Sequence, residues 1–356
     1  MSTFTEFWKL KEVIVWNVQN YNLKKLDITF KIAYWENFEG SNYENIENIE
    51  VFKKDIIERS QDLKNFKKIL SELWVIVREP EILSEFKTFK TPEFSGVLTP
   101  VSCPRDKTIV YWNNIIETSP LCRKRFFENQ LLYQLFLEYF HKWYNWVSSP
   151  IPSLKDTRFD TMYWKNERDF ENFPVNEYDI AFDAAHILKI WKDLLFNISS
   201  YNHELWARWI QNFLWDKVNV HKVYQLDDTH IDWKISILKP WLFLVNWTVW
   251  KKIYDYLPEK FQNWDSIYVE EDEFLLKTRK DSFSLCSFYW ECTNILSIDE
   301  NTVCISDIAT NTIKKLERKW FTVIPVQLRH SNIFGWWLHC STLDVSREDK
   351  CIDYTK

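Results

Sequence analysis

The sequence predicts an α/β protein assembled from repeated strand, strand, helix, strand units. Short β-branched or apolar runs recur in pairs along the chain, and several pairs are followed by a stretch with helical apolar spacing and then another strand-like run. No G-x-G-x-x-G and no P-loop sequence occurs, so the units are not those of a dinucleotide-binding or P-loop sheet. One domain spanning residues 1–356 is expected.

The first strand is predicted within Lys9–Val18, where Leu-Lys-Glu-Val-Ile-Val alternates and is β-branched. Residues 36–50 are acidic and Asn-rich and read as a solvated loop. From Lys53 to Leu73, Ile56, Ile57, Leu63, Phe66, Ile69, Leu70 and Leu73 recur at helical spacing, and a tight turn at position 74 leads into a strand at Val75–Val77. Strands at 108–111 and 115–117 precede a helix predicted over Arg123–Lys142, with Phe126, Phe127, Tyr133, Phe136 and Phe140 at core spacing. The stretch from Pro150 to Pro174 reads as a surface excursion, not a domain boundary. Further strands are predicted at 187–190, 194–198, 219–224, 235–238 and 242–245, with a helix at 205–214. The last unit comprises strand-like runs at 294–296 and 303–305, a helix at 310–318 and a strand at 322–327.

Composition narrows the function classes. Of 356 residues, 46% are hydrophobic and 27% charged, as in a globular protein. A net charge of -6 gives no general attraction to nucleic acid or to an anionic membrane, which favours small-molecule chemistry. The polar start Met1–Glu6 and the lack of a bilayer-length apolar run point to a cytoplasmic protein. Seven scattered cysteines without a C-x-x-C pair argue against a disulfide framework and against a zinc ribbon.

Glycine and tryptophan are out of balance. Gly40, Gly96 and Gly335 are the three glycines of a chain that would ordinarily carry about 7%, whereas tryptophan occurs 21 times. Trp74, Trp112, Trp241 and Trp320 fall where a turn calls for a residue tolerant of positive φ, a role for which indole is among the poorest choices. The expectation is an alternative genetic code: a lineage that decodes UGA as glycine, with the gene translated as though UGA meant tryptophan. The abundance of Asn, Lys, Ile, Phe and Tyr, all with A/T-rich codons, suits such a genome. Trp146, Trp209 and Trp264 stand where nothing requires glycine.

Cys340, in Phe334-Gly335-Trp336-Trp337-Leu338-His339-Cys340-Ser341-Thr342, is the candidate nucleophile, since a thiolate beside a histidine or cation is the most reactive ordinary side chain. Taken alone, a cysteine is more often a small buried hydrophobe. Three other motifs accompany it: Pro104-Arg105-Asp106, Ala181-Phe182-Asp183-Ala184-Ala185-His186 and Asp228-Thr229-His230-Ile231-Asp232. In the last, a strand-like i, i+2 spacing would put His230 and Asp232 on one face, which suits a general acid/base beside a cation-binding carboxylate.

These four motifs, in this order, resemble the amidinotransferases, and the resemblance runs from about residue 5 to residue 347. The family has three consecutive glycines where this chain has Gly335, Trp336 and Trp337, and glycine at positions matching the other turn tryptophans. The resemblance implies a five-module ββαβ propeller of the pentein superfamily and transfer of the amidino group of arginine to a primary amine, glycine or another, with release of ornithine. It implies Cys340 as nucleophile, His230 as general acid and base, and Asp183 as catalytic aspartate. Asp106, Asp232 and Ser287 would bind substrate, with no metal and no organic cofactor. Two departures leave the substrates open: Phe288 replaces the serine after Ser287, and Val249 stands where glycine-directed members have an arginine for a substrate carboxylate. A guanidine hydrolase using water as acceptor and a catalytically inactive binding relative are the alternatives. The oligomeric state is open, with a homodimer as one candidate.

Overall fold

Five three-stranded sheets, all wired alike, form the framework of the computed structural model, which describes residues 2–18, 21, 23–34, 47–160, 168–226, 230–269, 285, 292–349 and 353–354. In each sheet an antiparallel pair is extended by a third strand parallel to its middle member. Thr108–Tyr111, Asn114–Glu117 and Asn145–Ser148 form one sheet, and Ile187–Ile190, Asp193–Ile198 and Asn219–Tyr224 the next. Ile235–Lys239, Leu242–Val245 and Asp265–Tyr268 follow, then Leu296–Asp299, Thr302–Ser306 and Thr322–Val326. The remaining sheet joins the two ends of the chain: Leu10–Val15 pairs antiparallel with Thr342–Arg347 and parallel with Ile76–Arg78.

Helices Lys53–Glu72, Tyr133–His141, Tyr201–Leu214, Ile253–Tyr256 and Thr310–Arg318 make the crossovers that parallel neighbours require. They form because their apolar residues share one stripe; Leu63, Phe66 and Leu70 are fully buried along Lys53–Glu72. Each such side chain contributes about 1.5–3 kcal/mol by leaving water. No helix among the described residues is long and apolar enough to cross a membrane.

The expected helix over Arg123–Lys142 is a correction. Its first half is two 3-10 turns, Arg123–Arg125 and Glu128–Leu132, and the α-helix begins at Tyr133. Aromatic spacing suggested one long helix, but Arg125 and Glu128 are buried and paired at 2.5 Å, and that inward pairing shapes the chain locally. The acidic loop expected at 36–50 lies mostly outside the described residues, although Asn48–Ile49 pairs with Leu23–Lys24.

Eleven non-glycine residues among those described have positive φ, and seven of them are tryptophan: 74, 112, 143, 191, 215, 241 and 320. Trp112, Trp191 and Trp241 sit in the hairpin turns of three sheets. Trp74, Trp143 and Trp320 each follow a helix C-cap, where the next residue's amide reaches back: Val75 N to Leu70 O at 3.0 Å, Tyr144 N to Tyr139 O at 3.1 Å, and Phe321 N to Leu316 O at 3.1 Å. This is the left-handed helix ending that glycine ordinarily fills, and an L-residue there costs on the order of 1 kcal/mol. Trp74, Trp143 and Trp320 are 88%, 89% and 90% exposed, so little packing offsets that cost.

Candidate active site

Cys340 is presented by the segment between the short helix Ser331–Phe334 and the strand Thr342–Arg347. Gly335 ends that helix at φ 77°, a conformation suited to glycine. Two buried guanidinium groups hold the segment. Arg59, from helix Lys53–Glu72, donates to Ser331 Oγ at 3.0 Å, to Arg329 O at 3.3 Å and to Trp336 O. Arg105 donates Nε–H to His339 O at 3.1 Å and pairs with Asp344 and with Glu6 at 3.4 Å.

The thiol is fully buried. Asn294 brackets it: its Nδ2 donates to Cys340 Sγ at 3.1 Å and to Asp232 Oδ2 at 3.0 Å, and its Oδ1 accepts from Cys340 N at 3.1 Å. Asp232 Oδ2 lies 3.7 Å from the sulfur and 2.7 Å from His339 Nδ1. His230 stands beside these groups, with its Nε2 3.5 Å from Asp183 Oδ2 and its Nδ1 3.8 Å from Asp106 Oδ1. Cys340, His230, Asp183, Asp106 and Asp232 thus form one cluster around His230.

Local geometry differs from expectation at two of them. His230 caps the 3-10 turn Ile231–Trp233 that carries Asp232, so the two converge through a tight turn and not as alternate residues of a strand. Asp106, expected to hold substrate, already accepts from Cys103 Sγ at 2.7 Å through Oδ1 and pairs with Arg125 through Oδ2. Ser287 lies outside the described residues. The sequence reading missed Glu6, Arg59, Arg125 and His339 as site residues, and Asn294 only surfaced as part of a strand-like run.

Electrostatics set the protonation states. Burial pushes the Cys340 thiol up, but its polar neighbours Cys103 and His230 outweigh it and the nearby carboxylates, bringing it down to about 7. Burial opposes the charge on His230, yet Asp106, Asp183 and the thiolate hold its pKa well above the ordinary imidazole value. The site therefore favours a thiolate-imidazolium pair near neutrality. Asp183 Oδ1 and Asp232 Oδ1 are buried carboxylate oxygens with no hydrogen-bond donor among the described residues. Two trios, His230, Asp232, Cys340 and Asp106, Asp183, His230, have the composition of metal-ligand sets. Asp232 Oδ2 and both oxygens of Asp106 are already committed to protein donors, which suits them poorly to a cation.

A pocket reaches this cluster from the surface, lined by Tyr34, Phe30, Lys124, Asp183, His230 and Trp336 among others. Cys340 itself does not line it.

No family model matches the chain. Inosamine-phosphate amidinotransferase 1 of Streptomyces griseus is 31% identical over 350 residues, covering 98% of this chain and 97% of the relative. Its solved structure superposes with a TM-score of 0.87 at 29% identity, over 100% of this chain and 99% of the other. L-arginine:L-lysine amidinotransferase of Pseudomonas savastanoi pv. phaseolicola is 30% identical over 299 residues, 83% of this chain and 80% of the relative. A dimethylarginine dimethylaminohydrolase of Pseudomonas aeruginosa shares the fold at a TM-score of 0.54 and 12% identity, over 92% of this chain and 96% of that one.

The thiolate assignment is checked by the rate of Cys340 alkylation with iodoacetamide followed against pH. The rate should rise with a midpoint near 7, because only the thiolate reacts. A midpoint at the ordinary cysteine value of about 8.5 would contradict the electrostatics described. With its sequence, fold and clustered motifs all agreeing, the chain belongs to the amidinotransferase family, enzymes that transfer amidino groups.

Proposed function

We propose that the enzyme moves the amidino group of L-arginine to a primary amine, glycine or another, through an amidino group carried on Cys340. The observation that carries this reading is the pair of orphaned carboxylate oxygens, Asp183 Oδ1 and Asp232 Oδ1, beside a thiol brought down to about 7. Buried acceptors of this kind call for a ligand rich in donors and positive charge, and a planar guanidinium has five N–H groups in a fixed fork. The arginine and lysine in the Pseudomonas relative's name support an amino-acid donor and an amine acceptor.

In the first half-reaction the Cys340 thiolate adds to the central guanidinium carbon while Asp183 and Asp232 hold its nitrogens. The carbon–nitrogen bond to the side chain then breaks, and His230 gives its proton to the departing amine, so ornithine leaves and the amidino group stays on sulfur. In the second, neutral His230 takes a proton from the acceptor amine, which attacks the amidino carbon and expels the thiolate. Asp106, committed to Cys103 and Arg125, serves chiefly to keep His230 charged. Ser287 keeps the substrate-binding part that its motif implies, and no metal or organic cofactor takes part. The five alike sheets are read as blades of a single propeller-like domain over residues 1–356 of a cytoplasmic enzyme, with a homodimer as the candidate assembly.

The test separates transferase from hydrolase. Purified enzyme given arginine should release ornithine in sustained turnover only when an amine is added, and Cys340→Ala should abolish it. Steady citrulline from arginine without added amine would establish a hydrolase and defeat the proposal.

A further inference from the structure

Three consecutive basic residues on the turn Arg123–Arg125 point to different partners. Arg123 donates to Leu154 O at 3.0 Å and to Asp156 at 2.6 Å, and lies 3.5 Å from Asp27. Arg125 is committed to Asp106, Glu128 and the Cys103 carbonyl. Lys124, between them, lines the active-site pocket, 3% exposed, with its ammonium 5.7 Å from the centroid of the Phe30 ring. Among the described residues lining the pocket, Lys124 and Arg125 are the lysine and the arginine, and the one carboxylate, Asp183, lies beside the His230 imidazolium at the catalytic end.

We propose that Lys124 is the specificity residue for the donor, binding the carboxylate of arginine while its guanidinium lies between Asp183 and Asp232; this rests on the amidino-transfer reading above. An ammonium held in a largely apolar wall gains more from an opposite charge than one in water does, because less solvent screens the pair. Burial holds the Lys124 pKa down to about 8, and an arriving carboxylate would favour its charged form.

The test compares arginine with agmatine, which lacks the carboxylate, as donors to one fixed amine, in the natural enzyme and in Lys124→Met. Natural enzyme should prefer arginine, and in Lys124→Met the ratio of kcat/KM for arginine to that for agmatine should fall by about 10- to 100-fold, a loss typical of one charged hydrogen bond. Lys124→Arg should retain part of the preference. An unchanged ratio in a variant that still transfers would overturn the assignment. So would a loss seen only on exchanging glycine for ethylamine as acceptor, which would place the contact on the acceptor. No transfer from either donor by the natural enzyme would instead defeat the reading beneath it.

A second inference rests on backbone geometry alone. Seven tryptophans occupy left-handed backbone in hairpin turns and at helix ends, six of them at least 42% exposed. The structure points to glycine at positions 74, 112, 143, 191, 215, 241 and 320 of the protein as its own cell makes it, decoded from UGA. At the site, Trp16 and Trp336 are buried with indole N–H groups that find no acceptor among the described residues, and Trp336 lines the pocket that stops short of Cys340. Glycine at 16 and 336 would remove those costs, and at 336 it would open the approach to the thiol.

Peptide masses of the protein isolated from its source cells decide the matter. Glycine at the seven turn positions is expected, and tryptophan there would overturn the inference. As a separate check, recombinant protein with glycine at all seven should melt several degrees higher than the chain as written. An equal or lower melting temperature would also count against it.

Discussion

Two buried guanidinium groups, those of Arg59 and Arg105, fix the segment that carries Cys340. Both are almost wholly removed from water, and the acceptors that meet their donors include the backbone carbonyls of Arg329, Trp336 and His339. Removing either would leave those carbonyls and, for Arg105, the carboxylates of Glu6 and Asp344 short of a buried partner, which typically costs about 3–5 kcal/mol when an ion pair is broken. Arg105 also ties the chain ends together, because Glu6 precedes the first strand and Asp344 lies on the last. The sheet that joins the two ends and the nucleophile segment are therefore one piece of structure.

Around this fixed segment the carboxylates have different duties because their surroundings differ. Asp344, fully buried among Arg105, Lys189 and Arg347, is held well below the ordinary carboxylate range despite burial. Asp106, with one arginine and a thiol against it, sustains the charge of His230. Asp183 and Asp232 each keep one buried oxygen that finds no donor among the described residues, and the proposed substrate's positive charge would supply one. A low-dielectric interior strengthens each of these interactions and makes an empty acceptor costly, which is how one small volume can hold a thiolate, an imidazolium and several carboxylates at once.

The strands and long helices were legible because their signals are local. Alternation and helical spacing placed Leu10–Val15, the helix at 53–72 and the strand at 322–326 to within a few residues. Motif order placed Cys340, His230, Asp183, Asp106 and Asp232 in one cluster. What sequence could not show was pairing between distant residues: Arg59 with Ser331, Glu6 with Arg105, or Arg125 with Asp106. The break in the helix expected at 123–142 has the same origin, since Arg125 and Glu128 turn inward towards partners that no local pattern reveals. The tryptophan anomaly was legible as chemistry, because a turn's demand for positive φ is written in position, whatever residue fills it.

The central claim is that the transferred group rests on Cys340 between donor and acceptor. Enzyme mixed with arginine and no amine, quenched in acid and digested, should show the Cys340 peptide heavier by one amidino group, in amounts matching a single burst of ornithine. An unmodified Cys340 peptide, with ornithine appearing only when donor and acceptor are present together, would contradict the account.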